Sequence, residues 1–103
     1  MTEFVAAILF NVGVVYCEMN QFEQSLASLQ QCLHARGILH GVEHILFAHT
    51  VQKIGDVFLA MSDFTEAMNS YKWALDIMQL DVTLNCVDIG EILDSIGNIH
   101  YNI

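Results

Sequence analysis

Positively charged residues are scarce in this chain of 103 residues. Only Arg36, Lys53 and Lys72 oppose 12 acidic side chains, so the formal net charge is −9. Nucleic acids and anionic membranes both attract proteins through clustered Lys and Arg that neutralise phosphate. Three scattered cations exclude nucleic acid as a partner and disfavour adhesion to an anionic membrane surface.

Cysteine is also scarce, and its copies lie far apart. Cys17, Cys32 and Cys86 are odd in number and fall on apolar helical faces in the interpretation below. No pair of them has the spacing of zinc ligands. We therefore expect buried, reduced thiols in an intracellular, cytoplasmic protein rather than a disulfide framework.

Long apolar runs are missing as well. The stretch from Phe4 to Tyr16 is too short to span a bilayer, is interrupted by Asn11 and follows Glu3 rather than basic residues. We therefore expect neither a signal peptide nor membrane insertion.

What the chain has in excess is apolar surface. Hydrophobic residues make up 54% of it, charged residues only 15%, and the mean hydropathy is +0.45. A small monomer cannot hide this much apolar area, so we expect further repeats or a second chain to cover the ends of the fold.

A spacing of 42 residues organises the sequence. Val12-Gly13, Ile54-Gly55 and Ile96-Gly97 follow one another at this interval. A period of this length predicts stacked pairs of helices. A glycine inside a helix costs about 1 kcal/mol relative to alanine, so each of the three glycines predicts a close contact with a neighbouring helix.

Apolar periodicity and capping residues place the helices. We predict helices over about 3–18 and 22–36, a third from about residue 43, a fourth after Asp63 and a fifth up to about residue 102. Thr2 is expected to cap the first helix, Asn20 to end it in the left-handed conformation, and Asp63 with Glu66 to form a capping box. The repeats then span about 4–42 and 43–84, with a half repeat over 85–103, and we expect this chain to be a fragment of a longer array.

The pattern resembles the tetratricopeptide repeat, in which a large apolar residue, Leu-Gly, Tyr, Ala, an aromatic residue and Ala recur along a helix pair. The matching positions are Leu9, Val12-Gly13, Tyr16, Ser25, Leu29 and Cys32; Val51, Ile54-Gly55, Phe58, Ala67, Tyr71 and Ala74; and Leu93, Ile96-Gly97 and His100. The period of 42 is similar to that of the kinesin-light-chain type, whose linker corresponds to residues 41–44. The chain has no proline, which that linker usually contains.

The resemblance implies an all-α fold, a right-handed α-solenoid of two antiparallel helix hairpins and one closing helix. It also implies a concave groove that is lined by the first helix of each hairpin and binds a protein or peptide. The groove positions carried over from the family are Phe10, Asn11, Val14, Cys17, His49, Gln52, Lys53, Asp56, Leu59, Glu91, Asp94, Ser95, Asn98 and Tyr101.

The residues at these positions indicate the kind of ligand. The family's clamp for C-terminal carboxylates uses Lys, Arg and Asn, which this chain lacks at those places. Asp56, Glu91 and Asp94 favour basic segments instead. Phe10 and Val14 would add apolar contact, as would Leu59.

Other chemistry receives little support. His40, Glu43, His44 and His49 are the only cluster that hints at a metal, and their spacing does not place three ligands on one helical face. Cys17 has no base fixed beside it by the pattern. We therefore expect no catalysis, no metal and no cofactor.

Two functions remain open. The first is a non-catalytic interaction scaffold that binds a protein segment in the groove. The second is a self-associating structural unit, a homo-oligomer that dimerises or stacks through apolar end faces. Peptide binding that is lost on charge reversal in the groove favours the first, and a dimer that binds no peptide favours the second.

Overall fold

The computed structural model describes residues 2–79, 91–97 and 99, and all regular secondary structure in these ranges is helical. The helices are α1 (Glu3–Glu18), α2 (Phe22–His40), α3 (Ile45–Ala60) and α4 (Phe64–Met78). Residues 91–97 form a further helix, α5. The prediction of an all-α, solenoid-like repeat fold is confirmed.

The helices form two hairpins that pack side by side. α1 packs on α2 and α3 on α4, while α2 also packs on α3 and joins the hairpins. Because the turns within the hairpins are short, the two helices of each hairpin run antiparallel. α5 adds to the second hairpin, since Ile92 and Ile99 are fully buried in one core cluster with Tyr71 and Met78 of α4.

The helix boundaries repeat at the period of the sequence. The residues that cap the two ends of α1 and α3, the turn residues, and the residues just before α2 and α4 each lie 42 positions apart. These pairs are Thr2 and His44, Met19 and Met61, Asn20 and Ser62, and Gln21 and Asp63. The residue at each turn has a φ of 61°, the left-handed conformation that ends a helix. The prediction for Asn20 is confirmed, and both hairpins use the same turn.

The capping predictions are confirmed at one helix and wrong at another. Thr2 Oγ1 accepts a hydrogen bond from the backbone N–H of Val5 at 3.4 Å, as expected. Asp63 precedes α4 but makes no side-chain cap hydrogen bond, so the predicted capping box is absent. The backbone explains the difference, because ψ is 165° at Thr2 and only 78° at Asp63.

α2 is longer than predicted. It continues past Arg36 to His40, and α3 begins at Ile45 rather than at about residue 43. Gly37 lies within α2, and its missing side chain leaves room for Phe47, since a Cβ at that position would lie 3.3 Å from a carbon of the Phe47 ring. The helix ends where Gly41 adopts a φ of +96°, a conformation that only glycine adopts readily.

The repeated glycines mark close helix contacts in both hairpins. A Cβ at Gly13 would lie 2.6 Å from Leu29 Cγ, and a Cβ at Gly55 would lie 2.9 Å from the Tyr71 ring. The prediction is confirmed for these two. For Gly97, a Cβ would meet no described residue within 4 Å, so the part of the chain that the structure describes shows no close contact there. The contact in each hairpin comes from its second helix, and the described residues include no second helix after α5.

The thiols only partly follow the prediction. Cys32 is fully buried, whereas Cys17 is half-buried because it lies where α1 borders α3; both are free. Cys86 lies outside the described residues. Within the described ranges, no helix combines the length and apolarity that crossing a bilayer requires.

Candidate functional site

The predicted groove residues that the structure describes lie on α1, α3 and α5. All twelve described members keep some exposure to solvent: Asn11, Glu91 and Asp94 are exposed, and the other nine are half-buried. We call the eleven of these residues other than Asn11, which lies on another side of α1, the groove face. Asn98 and Tyr101, the other two predicted members, lie outside the described residues. The face has accessible side chains although it is built on packed helices.

Asp56 is the best-anchored member of the groove face. Its Oδ1 accepts a hydrogen bond from the Tyr71 hydroxyl, and its Oδ2 lies 3.3 Å from Lys53 Nζ. Ser95 of α5 also hydrogen-bonds the Tyr71 hydroxyl. One phenol thus connects α4 with two helices of the groove face, and much of the charge of Asp56 is compensated within the chain.

Tyr71 itself was not predicted as a site residue. Burial raises the pKa of Tyr71, and the hydrogen bond to the negatively charged Asp56 raises it further. The sequence did contain a signal, because the equivalent position in the first hairpin is the apolar Leu29. A hydroxyl at a fully buried position needs a partner, and here that partner is a groove residue.

Cys17 serves packing rather than chemistry. It packs against the cluster that contains Ile54 and Val57, at the border between α1 and α3. Burial raises the pKa of the Cys17 thiol, although the charge of Lys53 opposes this effect. The thiol therefore stays protonated and is a poor nucleophile.

Two of the predicted apolar contacts are largely used inside the fold. Phe10 packs against the core cluster of the first hairpin and against the cluster between α2 and α3, and Arg36 lies over its ring at 5.1 Å from the centroid. Leu59 packs against the large cluster of the second hairpin. Asn11 instead faces a shallow groove on the other side of α1, beside Ile8 and Val12. The structure therefore does not bring Asn11 together with the α3 residues.

A buried polar network joins three helices, and sequence reasoning missed it. Arg36 of α2 is only 5% exposed. Its Nε and Nη2 donate to Glu3 Oε1 at 3.1 and 2.9 Å, and its Nη1 donates to Thr50 Oγ1 at 3.0 Å. His40 Nε2 lies 2.7 Å from Glu3 Oε2. The network ties α1 and α3 to α2 and so sets the relative position of two helices of the groove face.

The charge of Glu3 is stabilised by this arrangement. Burial alone raises the pKa of Glu3, but hydrogen bonds from His40 and Arg36 together with their charges outweigh it and lower the pKa below 4.5. A buried guanidinium is costly unless its donors are satisfied. Glu3, Thr50 and the carbonyl oxygen of Leu46 at 3.4 Å provide that satisfaction.

The histidine cluster has structural partners. The rings of His40 and His44 stack with centroids 4.7 Å apart. His44 Nδ1 accepts a hydrogen bond from the Leu46 backbone N–H at 3.1 Å and so caps α3. Among the residues that the structure describes, no three His, Cys, Asp or Glu side chains are placed to hold a metal ion.

Comparison with known families agrees with the repeat architecture. The sequence model described as "Tetratricopeptide repeat" matches residues 4–79, which cover both hairpins. The chain belongs to the tetratricopeptide repeat family. Repeats of this family generally mediate protein–protein interactions and are generally not catalytic. No curated protein matches the chain.

Proposed function

We propose that the groove face of this tetratricopeptide repeat chain binds a segment of another protein. The observation that carries the proposal is the exposure pattern: all eleven described members of the face keep some access to solvent. The general role of the family in protein–protein interaction supports it. The buried Arg36 network and the Tyr71 hydrogen bonds hold the helices of the face in place, so that binding need not order them first.

The charges of the face favour a basic segment at the α5 end. Glu91 and Asp94 are exposed. Asp56 contributes less than the sequence indicated, because Lys53 and Tyr71 already occupy its oxygens. Exposed ion pairs are worth only about 0.2–1 kcal/mol each. Charge therefore selects the segment, while apolar contact with half-buried residues such as Val14 has to supply most of the affinity.

A peptide display library selected on the immobilised chain tests the proposal. Selected sequences should be enriched in Lys and Arg, and the double variant Glu91→Lys, Asp94→Lys should lose them. Asp76→Lys, Glu66→Lys is a matched control, because it makes the same charge change on exposed positions of α4 outside the groove face. Selected peptides that bind the groove variant and the wild-type chain equally well would disprove the proposal.

We also propose a subgroup of the family, a cellular compartment and a non-catalytic role for this chain. The 42-residue repetition of the boundaries of the first helices and of the turns supports a kinesin-light-chain-like subgroup within the family. The free thiol of the fully buried Cys32 supports a reducing compartment such as the cytoplasm. The raised pKa of Cys17 supports a non-catalytic role.

Self-association is the second candidate, and one observation favours it. α1 exposes several large apolar side chains, among them Phe4, Ile8 and Val15. A homo-oligomer could bury them. The charges oppose it, however, since each copy carries −9, and net charge of this size keeps chains apart.

A further inference from the structure

An ion pair lies on the groove face. Lys53 Nζ is 3.3 Å from Asp56 Oδ2, and the two side chains are 32% and 34% exposed. Hydrogen bonds between an ammonium and a carboxylate are usually about 2.7–2.9 Å long. The pair is therefore loose. Because it joins residues three apart on a partly exposed side of α3, it contributes little to stability.

The two partners of this pair are held very differently. The Tyr71 hydroxyl donates a hydrogen bond to Asp56 Oδ1, and the Tyr71 side chain is fully buried. Its ring fills the space beside Gly55, where a Cβ would lie 2.9 Å from a ring carbon, and Ser95 of α5 hydrogen-bonds the same hydroxyl. Lys53 reaches the carboxylate through a flexible four-carbon stem. The carboxylate is therefore fixed, whereas the ammonium can leave without movement of the helix.

The first hairpin lacks this arrangement. The positions 42 residues before Asp56 and Tyr71 are Val14 and Leu29, neither of which carries a polar side chain. α1 and α2 nevertheless pack closely, since a Cβ at Gly13 would lie 2.6 Å from Leu29 Cγ. A hairpin of this type therefore forms without the ion pair, which argues that the pair serves something other than packing.

We propose that Lys53 competes with the ligand for Asp56. In the free chain the Lys53 ammonium pairs with Asp56 Oδ2, and in the complex a Lys or Arg side chain of the bound segment takes its place. This competition rests on the proposed function, the binding of a basic segment at the groove face. It adds which carboxylate of α3 the segment uses and which group has to leave first. Lys53 thus sets a threshold, because only a cation that binds Asp56 better than Lys53 does gains from the exchange.

The exchange suits the geometry of the carboxylate. One cation replaces another, so Asp56 is not left as a partly buried, unpaired charge. The ligand does not have to order Asp56, since Tyr71 already holds it. Because the Tyr71 hydroxyl occupies Oδ1, the incoming cation binds Oδ2. The two-pronged fork of an arginine therefore has little advantage over a lysine at this position.

A labelled octapeptide of alternating Lys and Leu tests the competition by fluorescence anisotropy on the intact chain. Lys53→Met should tighten its binding by about two- to fivefold, the range that matches the strength of a partly exposed ion pair. Lys72→Met is the matched control, because it removes the same charge from an exposed position of α4 outside the groove face, and it should leave the affinity unchanged. Circular dichroism verifies that both variants are folded.

A double-mutant cycle separates competition from a general effect of charge. Asp56→Asn keeps an oxygen that can accept from the Tyr71 hydroxyl but removes the negative charge, and it should weaken binding. In that background Lys53→Met should change the affinity no more than Lys72→Met does. As a second measurement, the side-chain carboxyl ¹³C resonance of Asp56 should shift on titration with the peptide, while that of the exposed Asp76 on α4 should stay in place.

The possible results separate the competition from the proposed function. Binding that is lost in the double variant Glu91→Lys, Asp94→Lys but is unchanged by Lys53→Met would overturn the competition and leave the groove face as the binding site. Equal tightening by Lys53→Met and Lys72→Met would reduce the effect to net charge and would also overturn the competition. Binding that none of the groove variants changes would overturn both proposals, as would the absence of saturable binding below about 1 mM.

Discussion

Replacing Gly13 with alanine tests the close contact between α1 and α2. Alanine favours a helix interior by about 1 kcal/mol over glycine. The added Cβ would, however, lie 2.6 Å from Leu29 Cγ and 2.8 Å from its Cδ2. Leu29 is fully buried, and the contact involves its branch point rather than a free end. Overpacking of this kind costs about 1–3 kcal/mol, so Gly13→Ala should lower the free energy of unfolding by up to about 2 kcal/mol.

Ser25 adds to the cost. Its Oγ donates a hydrogen bond of 2.6 Å to the Gly13 carbonyl oxygen, and its own carbonyl oxygen would lie 3.3 Å from the new Cβ. Separation of α1 from α2 to relieve the clash would stretch this bond. The backbone therefore cannot relax without losing a second interaction.

Gly97→Ala is the matched control. A Cβ there meets none of the described residues within 4 Å, so we expect only the helix preference to act and stability to rise by up to about 1 kcal/mol. Urea denaturation of both variants measures the difference. Equal stabilisation by Gly13→Ala and Gly97→Ala would refute the packing argument.

A double-mutant cycle sharpens this test. Leu29→Ala removes the atoms that the new Cβ would meet, so in that background Gly13→Ala should become stabilising. The coupling between the two sites should exceed about 1 kcal/mol, as for other residues in direct contact. Additive effects would mean that Leu29 does not cause the penalty.

Three further variants test individual side chains. The pKa of Glu3 is lowered in the folded state, so the contribution of Glu3 to stability is present above pH 4.5 and is lost as the pH falls through the folded pKa. Glu3→Gln should therefore make stability depend less on pH in the acid range. An unchanged pH dependence would contradict the network. The pKa of Tyr71 is raised, so its contribution is present below pH 10 and is lost as the pH rises through the folded value. Alkaline titration should therefore show a phenol that ionises only on unfolding, and Tyr71→Phe should remove this delayed ionisation. If the delayed ionisation persists in the variant, it belongs to another tyrosine. His44→Ala should lower the free energy of unfolding, measured by urea denaturation, by about 1 kcal/mol, because the Leu46 N–H loses its acceptor. His44→Asn should retain most of that stability, since asparagine can also cap a helix. Equal losses in the two variants would show that the cap does not matter.

Local and periodic features of this chain were predictable from its sequence. The 42-residue period gave the hairpins, and a helical glycine at the same place in each repeat gave the contacts of Gly13 and Gly55. The left-handed turn at Asn20 followed from its residue type. Each of these features depends on neighbours that are close in sequence or are repeated in it.

Features that depend on tertiary partners were not predictable. Arg36 and Glu3 are 33 residues apart, and nothing in the local pattern pairs them. α2 continues through Gly37, and Phe47 of the next helix fills the space beside this glycine. The groove positions were assigned by resemblance to the family. The structure adds that Phe10 and Leu59 are partly used in packing and that Asp56 is already paired.

Chemical-shift mapping tests the central claim most directly. The claim is that the groove face, rather than another surface, takes up a protein segment. The isotope-labelled chain would be titrated with a peptide selected from the display library while amide resonances are followed. The account predicts shifts at Gln52, Lys53, Glu91 and Asp94, on α3 and α5. Shifts confined to α2 and α4 would contradict it.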